Sequence, residues 1–216
     1  MPRHILLILI FLVPLQLRSQ SGVWDQWDQE VINELNSSAH TDYLNEEEAK
    51  VILFMNMARH DGPLFAETFL QSYIQENQME RTKFVKSLIR DLKKTPQLHP
   101  LLPERDLTAV AQGHANKTGA SGRTGHQDFK KRFEPLMGNP YMHVGENCSY
   151  GYETAIDIVM SLLIDEGVSD MGHRKNILSD QFNSAGVAIR PHKNYRVNCV
   201  IDFGRQNRSS LNEVPY

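Results

Sequence analysis

Gly145-Glu146-Asn147-Cys148-Ser149-Tyr150-Gly151 and, further along, Met171-Gly172-His173-Arg174-Lys175-Asn176-Ile177-Leu178 bracket the part of the chain whose reading decides the fold. The first segment opens on a strand-like run, Val144 to Ser149, and closes on a glycine. Between the two lies a helical pattern from Thr154 to Glu166, with Thr154 as its cap and Asp157 three residues on. Ile156, Val159, Leu163 and Glu166 share one stripe of that helix, so the wheel places Glu166 on the buried face. A buried carboxylate has to be paired, hydrogen-bonded or metal-linked to keep its charge. Asp165 falls well round from the stripe and reads as solvated, or as a cap partner for the turn that follows.

Working toward the N-terminus, Gly119 to Gly125 is a glycine- and serine-rich loop that delivers His126. Before it, Leu107, Val110, Ala111, His114, Ala115 and Thr118 lie on one helix face, which makes His114 a hydrogen-bonded core histidine rather than a ligand. Thr95 to Pro103 contains three prolines and is irregular. Leu64 to Leu92 reads as two helices broken near Asn77. An earlier helix opens at Asn45, where Glu48 completes a capping box, and carries Asn56 and Arg59 before Asp61-Gly62-Pro63 ends it. Trp24, Trp27, Val31 and Leu35 recur at helical spacing, and both tryptophans are expected to dock that helix on the main body.

Toward the C-terminus, Ala185 to Ile189 and Arg196 to Phe203 are β-like runs around a turn at Pro191 to Asn194, a hairpin. Helices that precede and interrupt a small, late sheet argue for an α+β protein rather than a doubly wound parallel one.

Residues 1–20 have a basic start, an apolar run from Ile5 to Leu17 and a polar end, the pattern of a secretory signal. The run is shorter than the roughly 20 residues a membrane-spanning helix needs. The expected location is therefore secreted or extracytoplasmic, either extracellular or periplasmic. Beyond it the expected layout is an N-terminal helix and connector at 21–44, one domain at 45–204 and a tail at 205–216. A formal net charge of −3 with no basic stripe gives no case for nucleic acid. Cys148 and Cys199 stand alone, and in an oxidising compartment they are expected to pair.

His126, Glu146, Glu166 and His173 come from separate segments, each beside glycine or a turn. That is the raw material of a metal site, of an acid/base cleft, or of a structural salt-bridge network. The two signature segments, the helix bearing Ala111 and His114 with Gly125-His126 after it, Asn56 with Arg59, and Cys199-Val200-Ile201-Asp202-Phe203-Gly204 together resemble the CAP superfamily. This is the cysteine-rich secretory protein, antigen five and pathogenesis-related group, with an SCP-like extracellular domain. The resemblance runs from about Asn45 to Gly204 and leans toward the bacterial-type branch. It implies a three-layer α-β-α sandwich with a small, mainly antiparallel sheet, and a cleft tetrad of His126, Glu146, Glu166 and His173. It also implies that His126 and His173 can bind zinc or another divalent ion, weakly, since catalytic zinc usually has three protein ligands.

Two departures stand out. Leu163 replaces the tryptophan usual before the second acid, and the stretch at about 64–100 exceeds the family's usual connection, so it is expected to be a helical insertion. Three functions remain open on this reading. One is a secreted module binding an unknown lipid, glycan or peptide, of unknown oligomeric state. Another is a zinc-dependent, peptidase-like hydrolase with Glu146 or Glu166 as base. In the third, the tetrad is purely structural.

Overall fold

The computed structural model describes residues 21–206. The expected signal at 1–20 and residues 207–216 of the expected tail lie outside them.

The sheet has four strands: β1 (Leu102–Pro103), β2 (Tyr141–Tyr150), β3 (Ser184–His192) and β4 (Arg196–Gln206), in the order β1-β3-β4-β2. β3 and β4 form the expected hairpin, β2 pairs antiparallel with β4, and only the two-residue β1 is parallel to its neighbour. Helix α7 (Arg105–Ser121) covers one face, where Ala111 and Ala115 meet Cys148, Ala188 and Val200. It approaches closely because Gly186 has no side chain: a Cβ there would lie 2.1 Å from the Thr108 amide nitrogen. Helices α3 (Glu46–His60) and α9 (Ala155–Ile164) cover the other face, packing on Val187, Ile201 and Phe203 in the main core. The architecture is the α+β, α-β-α sandwich expected from the sequence.

Local rules account for the helix starts. Asn45 caps α3 in a full capping box with Glu48, and Thr154 caps α9. From Val51 to Ala58 α3 is apolar nearly all round because it is enclosed, and the buried polar side chains toward its end, Asn56 and Arg59, are spent on loops. Asn56 clamps the Leu35 and Leu101 backbone. Arg59, 1% exposed, donates to the carbonyls of His99, Ile177, Ser179 and Phe182. Burial pulls its guanidinium down to about 10, still cationic at neutral pH.

Outside α3 and α9 lies a further helical layer: α4 (Gly62–Phe65), a π-helical stretch at Ala66–Leu70, α5 (Gln71–Glu76) and α6 (Lys83–Lys94). The break expected near Asn77 falls between α5 and α6. At the N-terminus the structure has two short helices rather than one, α1 (Ser21–Trp24) and α2 (Gln29–Leu35). Both tryptophans dock as expected: Trp27 Nε1 donates to Thr68 Oγ1, and Trp24 sits edge-on to Phe69 at 4.9 Å. Among the described residues no helix is long and apolar enough to cross a membrane.

The cysteine pairing is corrected. On β2 and β4, Cys148 stands opposite Val200 and Cys199 opposite Ser149. Successive side chains on a strand point to opposite faces. Cys148 therefore lies under α7 and Cys199 in the core on the other side, each a buried free thiol.

Candidate functional site

Two histidine–carboxylate pairs make up the candidate site, and the second of them, His173 with Asp165, lines a cavity. His126 follows the glycine-rich loop after α7, and its Nδ1 lies 2.8 Å from Glu146 Oε1 on β2. His173 sits in α10 (Gly172–Ile177), with Nδ1 2.7 Å from Asp165 Oδ1. A carboxylate can only accept here, so in each ring Nδ1 donates, and in the neutral form it is Nε2 that carries the lone pair. The carboxylates are buried, whereas the His126 side chain is 48% exposed and that of His173 25%. The pairs are joined through the residue after Glu146, since Asn147 Nδ2 donates to the His173 carbonyl at 3.0 Å.

Glu146 is further held by Arg132, which donates Nη1 to Oε2 at 2.6 Å and Nη2 to Oε1 at 2.9 Å. Burial alone would raise the Glu146 carboxyl, but the hydrogen bonds from His126 and Arg132 outweigh it and bring it down to about 2. Arg132 belongs to the short helix α8 (Phe129–Phe133), where it also packs over the Phe129 and Phe133 rings.

The second acid is Asp165, and the buried position expected for Glu166 is overturned. α9 ends at Ile164, and Asp165 turns into the left-handed region at φ 58°. A helical wheel carried past that point no longer describes the chain. Asp165 folds inward to accept from His173 Nδ1 and from the backbone amides of His173 and Arg174. Glu166 is exposed and accepts from Thr82 Oγ1, the cap of α6, at 2.8 Å. Met171 before His173 and Asp128 after His126 also hold positive φ, at 52° and 56°. Such backbone strain gathers at working sites more than elsewhere.

Arg174 anchors the α10 segment from behind. It is 2% exposed and donates to the Leu163, Ile164 and Phe84 carbonyls, to Ser87 Oγ and to Asp91 Oδ2. The residue beside His173 is thereby fixed to α6. No sequence pattern exposes this link, because Arg174 and its α6 partners lie more than 80 residues apart.

A second cluster lies deeper. His114, Glu146 and Cys148 bring one ligand-type atom each within 4.8 Å of one another, close enough to share an ion. His114 Nε2 donates to the Gly125 carbonyl at 2.9 Å, the core hydrogen bond expected of it, while its Nδ1 has no partner. Burial lowers the His114 pKa, so the ring is neutral, and burial also raises the Cys148 thiol well above its ordinary value. An ion here would have to displace the Arg132 and His126 bonds and deprotonate that thiol. His126 and His173 offer a different donor set: two imidazole Nε2 atoms, on rings each oriented by a carboxylate as metal-bound histidines commonly are.

Comparison with known proteins gives the family. The model of the cysteine-rich secretory protein family, CAP, matches residues 53–203, and the chain belongs to that family. Among solved structures, an outer surface protein from Borrelia burgdorferi is 18% identical, covering 59% of this chain and 96% of its own, with a TM-score of 0.43. Schistosoma mansoni venom allergen-like protein 4 is 12% identical, covering 76% and 91%, with a TM-score of 0.49. No curated protein sequence matches the chain.

Proposed function

We propose that this chain is a secreted CAP-domain interaction module, acting outside the cytoplasm, whose cleft holds a divalent metal ion such as zinc through Nε2 of His126 and His173. The working unit is residues 45–204, with the α4–α6 helices as an added layer. The observation that carries the reading is the matched pairing of the two rings: each engages a buried carboxylate through Nδ1 and leaves Nε2 outside that bond. Glu146 and Asp165 are thus the orienting acids. Two nitrogen ligands make for weak, condition-dependent binding. A bound ion would supply a Lewis-acidic, charge-complementary point for an oxygen-bearing ligand.

Binding is favoured over hydrolysis because a general base needs a carboxylate oxygen free to take a proton. Both Glu146 oxygens are committed to Arg132 and His126, and Asp165 accepts three hydrogen bonds. Glu166 keeps Oε1 free, but it is exposed and tied through Oε2 to Thr82 at the start of α6, and it pairs with neither histidine. A purely structural network is disfavoured by the half-exposed His126 ring, since a fixing network gains nothing from facing water.

Calorimetric titration of the metal-free protein with zinc tests this. One ion bound by the wild type and none by the His126→Ala/His173→Ala double variant is the expected result. No binding by either, or equal binding by both, removes the reading.

A further inference from the structure

Next to His173 opens a cavity of about 290 Å³ lined by Tyr73 of α5, by Tyr150 at the end of β2 and by Tyr152 just beyond it. Two of these rings are pinned. The Tyr73 hydroxyl donates to Asp157 at 3.0 Å, and the Tyr150 hydroxyl accepts from the Gly125 amide at 2.7 Å, on the loop that delivers His126. Tyr152 is 43% exposed, as is the nearby Tyr195 at 48%, whose ring centroid lies 5.5 Å from that of Tyr150. An aromatic surface thus runs from inside the cavity out over its rim. Ser149, Asp165 and the exposed Glu166 supply polar atoms to the same wall.

Taking the cleft as an extracellular binding site, we propose that this cavity is the subsite for one sugar ring of a neutral glycan, with Tyr152 and Tyr195 carrying the adjoining unit. A pyranose has an apolar C–H face and a polar edge, and the lining supplies both kinds of contact: tyrosine rings, and the carboxylate of the exposed Glu166. The volume is at the small end of ligand pockets, which run from roughly 300 Å³ upward, and is enough for a single sugar ring. Carboxylates in the wall and a net charge of −3 oppose a sulfated or uronic acid glycan. A peptide adding to the sheet is opposed as well, because α10 caps the free edge of β2 through Asn176 Nδ2 on the Glu146 carbonyl. Tyr73 comes from the added helical layer, which makes that layer part of the specificity.

The test is saturation-transfer NMR on the full chain with chitotriose, cellotriose and mannotriose, beside a heparin-derived oligosaccharide and an unstructured peptide. The expected result is transfer to the ring C–H protons of at least one neutral trisaccharide. Tyr152→Ala should weaken it about tenfold or more, as removal of an aromatic anchor does, with Tm unchanged. No transfer to any neutral trisaccharide overturns the proposal. So does transfer that survives Tyr152→Ala, or transfer confined to the heparin fragment or the peptide. The zinc titration is independent of this outcome: zinc bound without sugar leaves the cleft reading standing and this subsite refuted.

Discussion

Asp202 stands directly across the β2–β4 ladder from Glu146, and both of its carboxyl oxygens are buried without a hydrogen-bond partner. Two carboxyl groups that face each other in the interior do not both ionise. Glu146 takes the charge, because Arg132 and His126 attend it. Asp202 is left neutral, its pKa raised well above the ordinary value by burial first and by the Glu146 charge second.

Asp202→Asn removes the ionisable group, and with it the cost of keeping a carboxyl protonated in the fold at neutral pH, so it is expected to raise stability there. Linkage fixes the direction of the pH dependence. A carboxyl whose folded pKa lies above its unfolded value of 3.8 loses stability as the pH rises through 3.8, since the unfolded chain releases its proton first. Wild type and variant should have similar Tm at acid pH and separate as the pH rises. A variant less stable at pH 7 would mean that Asp202 is ionised and held by a partner.

Arg132 gives the opposite dependence. With its carboxyl lowered, Glu146 contributes stability that is complete above 4.5 and is lost as the pH falls from there toward about 2. Arg132→Ala strands a buried carboxylate and should cost roughly 3 kcal/mol at neutral pH, as breaking a buried ion pair does. It should also move the acid-unfolding midpoint upward, because the folded carboxyl then protonates sooner. Arg132→Lys keeps the charge without the two-pronged geometry and should fall between. Chemical denaturation across a pH series reads all three.

Cys148 and Cys199 occupy opposite faces of one sheet, so no rearrangement short of unfolding joins them. Thiol titration of oxidatively purified protein should find two free groups, reactive only after denaturation. A reducing agent should leave Tm unchanged. A non-reducing gel shift, or a fall in Tm on reduction, would contradict the register.

What is legible in the sequence is whatever depends on near neighbours. Asn45 with Glu48 and Thr154 with Asp157 announce helix starts because a cap is satisfied within four residues. His126 and His173 are legible because each directly follows a glycine, Gly125 and Gly172. Cysteine pairing is not legible, since it turns on which of two strand registers forms, and a shift of one residue reverses every face. Nor is the Arg174 link to α6, which depends on two helices meeting in space. Asp165 and Glu166 exchange their expected places for a narrower reason. A wheel assumes that the helix continues, and nothing in Ile164-Asp165-Glu166-Gly167 says that the turn to positive φ already begins at Asp165, two residues before the glycine that shares it.

That exchange yields the most discriminating experiment on the site. Asp165 Oδ1 fixes the His173 tautomer, and carboxylates that orient a metal-binding histidine in this way are worth about 10–100-fold in metal affinity. Asp165→Asn should lower zinc affinity by that order, because its amide end can donate to His173 Nδ1 and favour the tautomer that places the proton on Nε2. Glu166→Gln should leave zinc affinity unchanged, since Glu166 is exposed and meets only the Thr82 hydroxyl among its hydrogen bonds. At most it loosens the α6 cap, a change of under about 1 kcal/mol for a solvent-exposed contact. If instead Glu166→Gln weakens zinc and Asp165→Asn does not, then Glu166 is the orienting acid and α9 continues beyond Ile164 in solution.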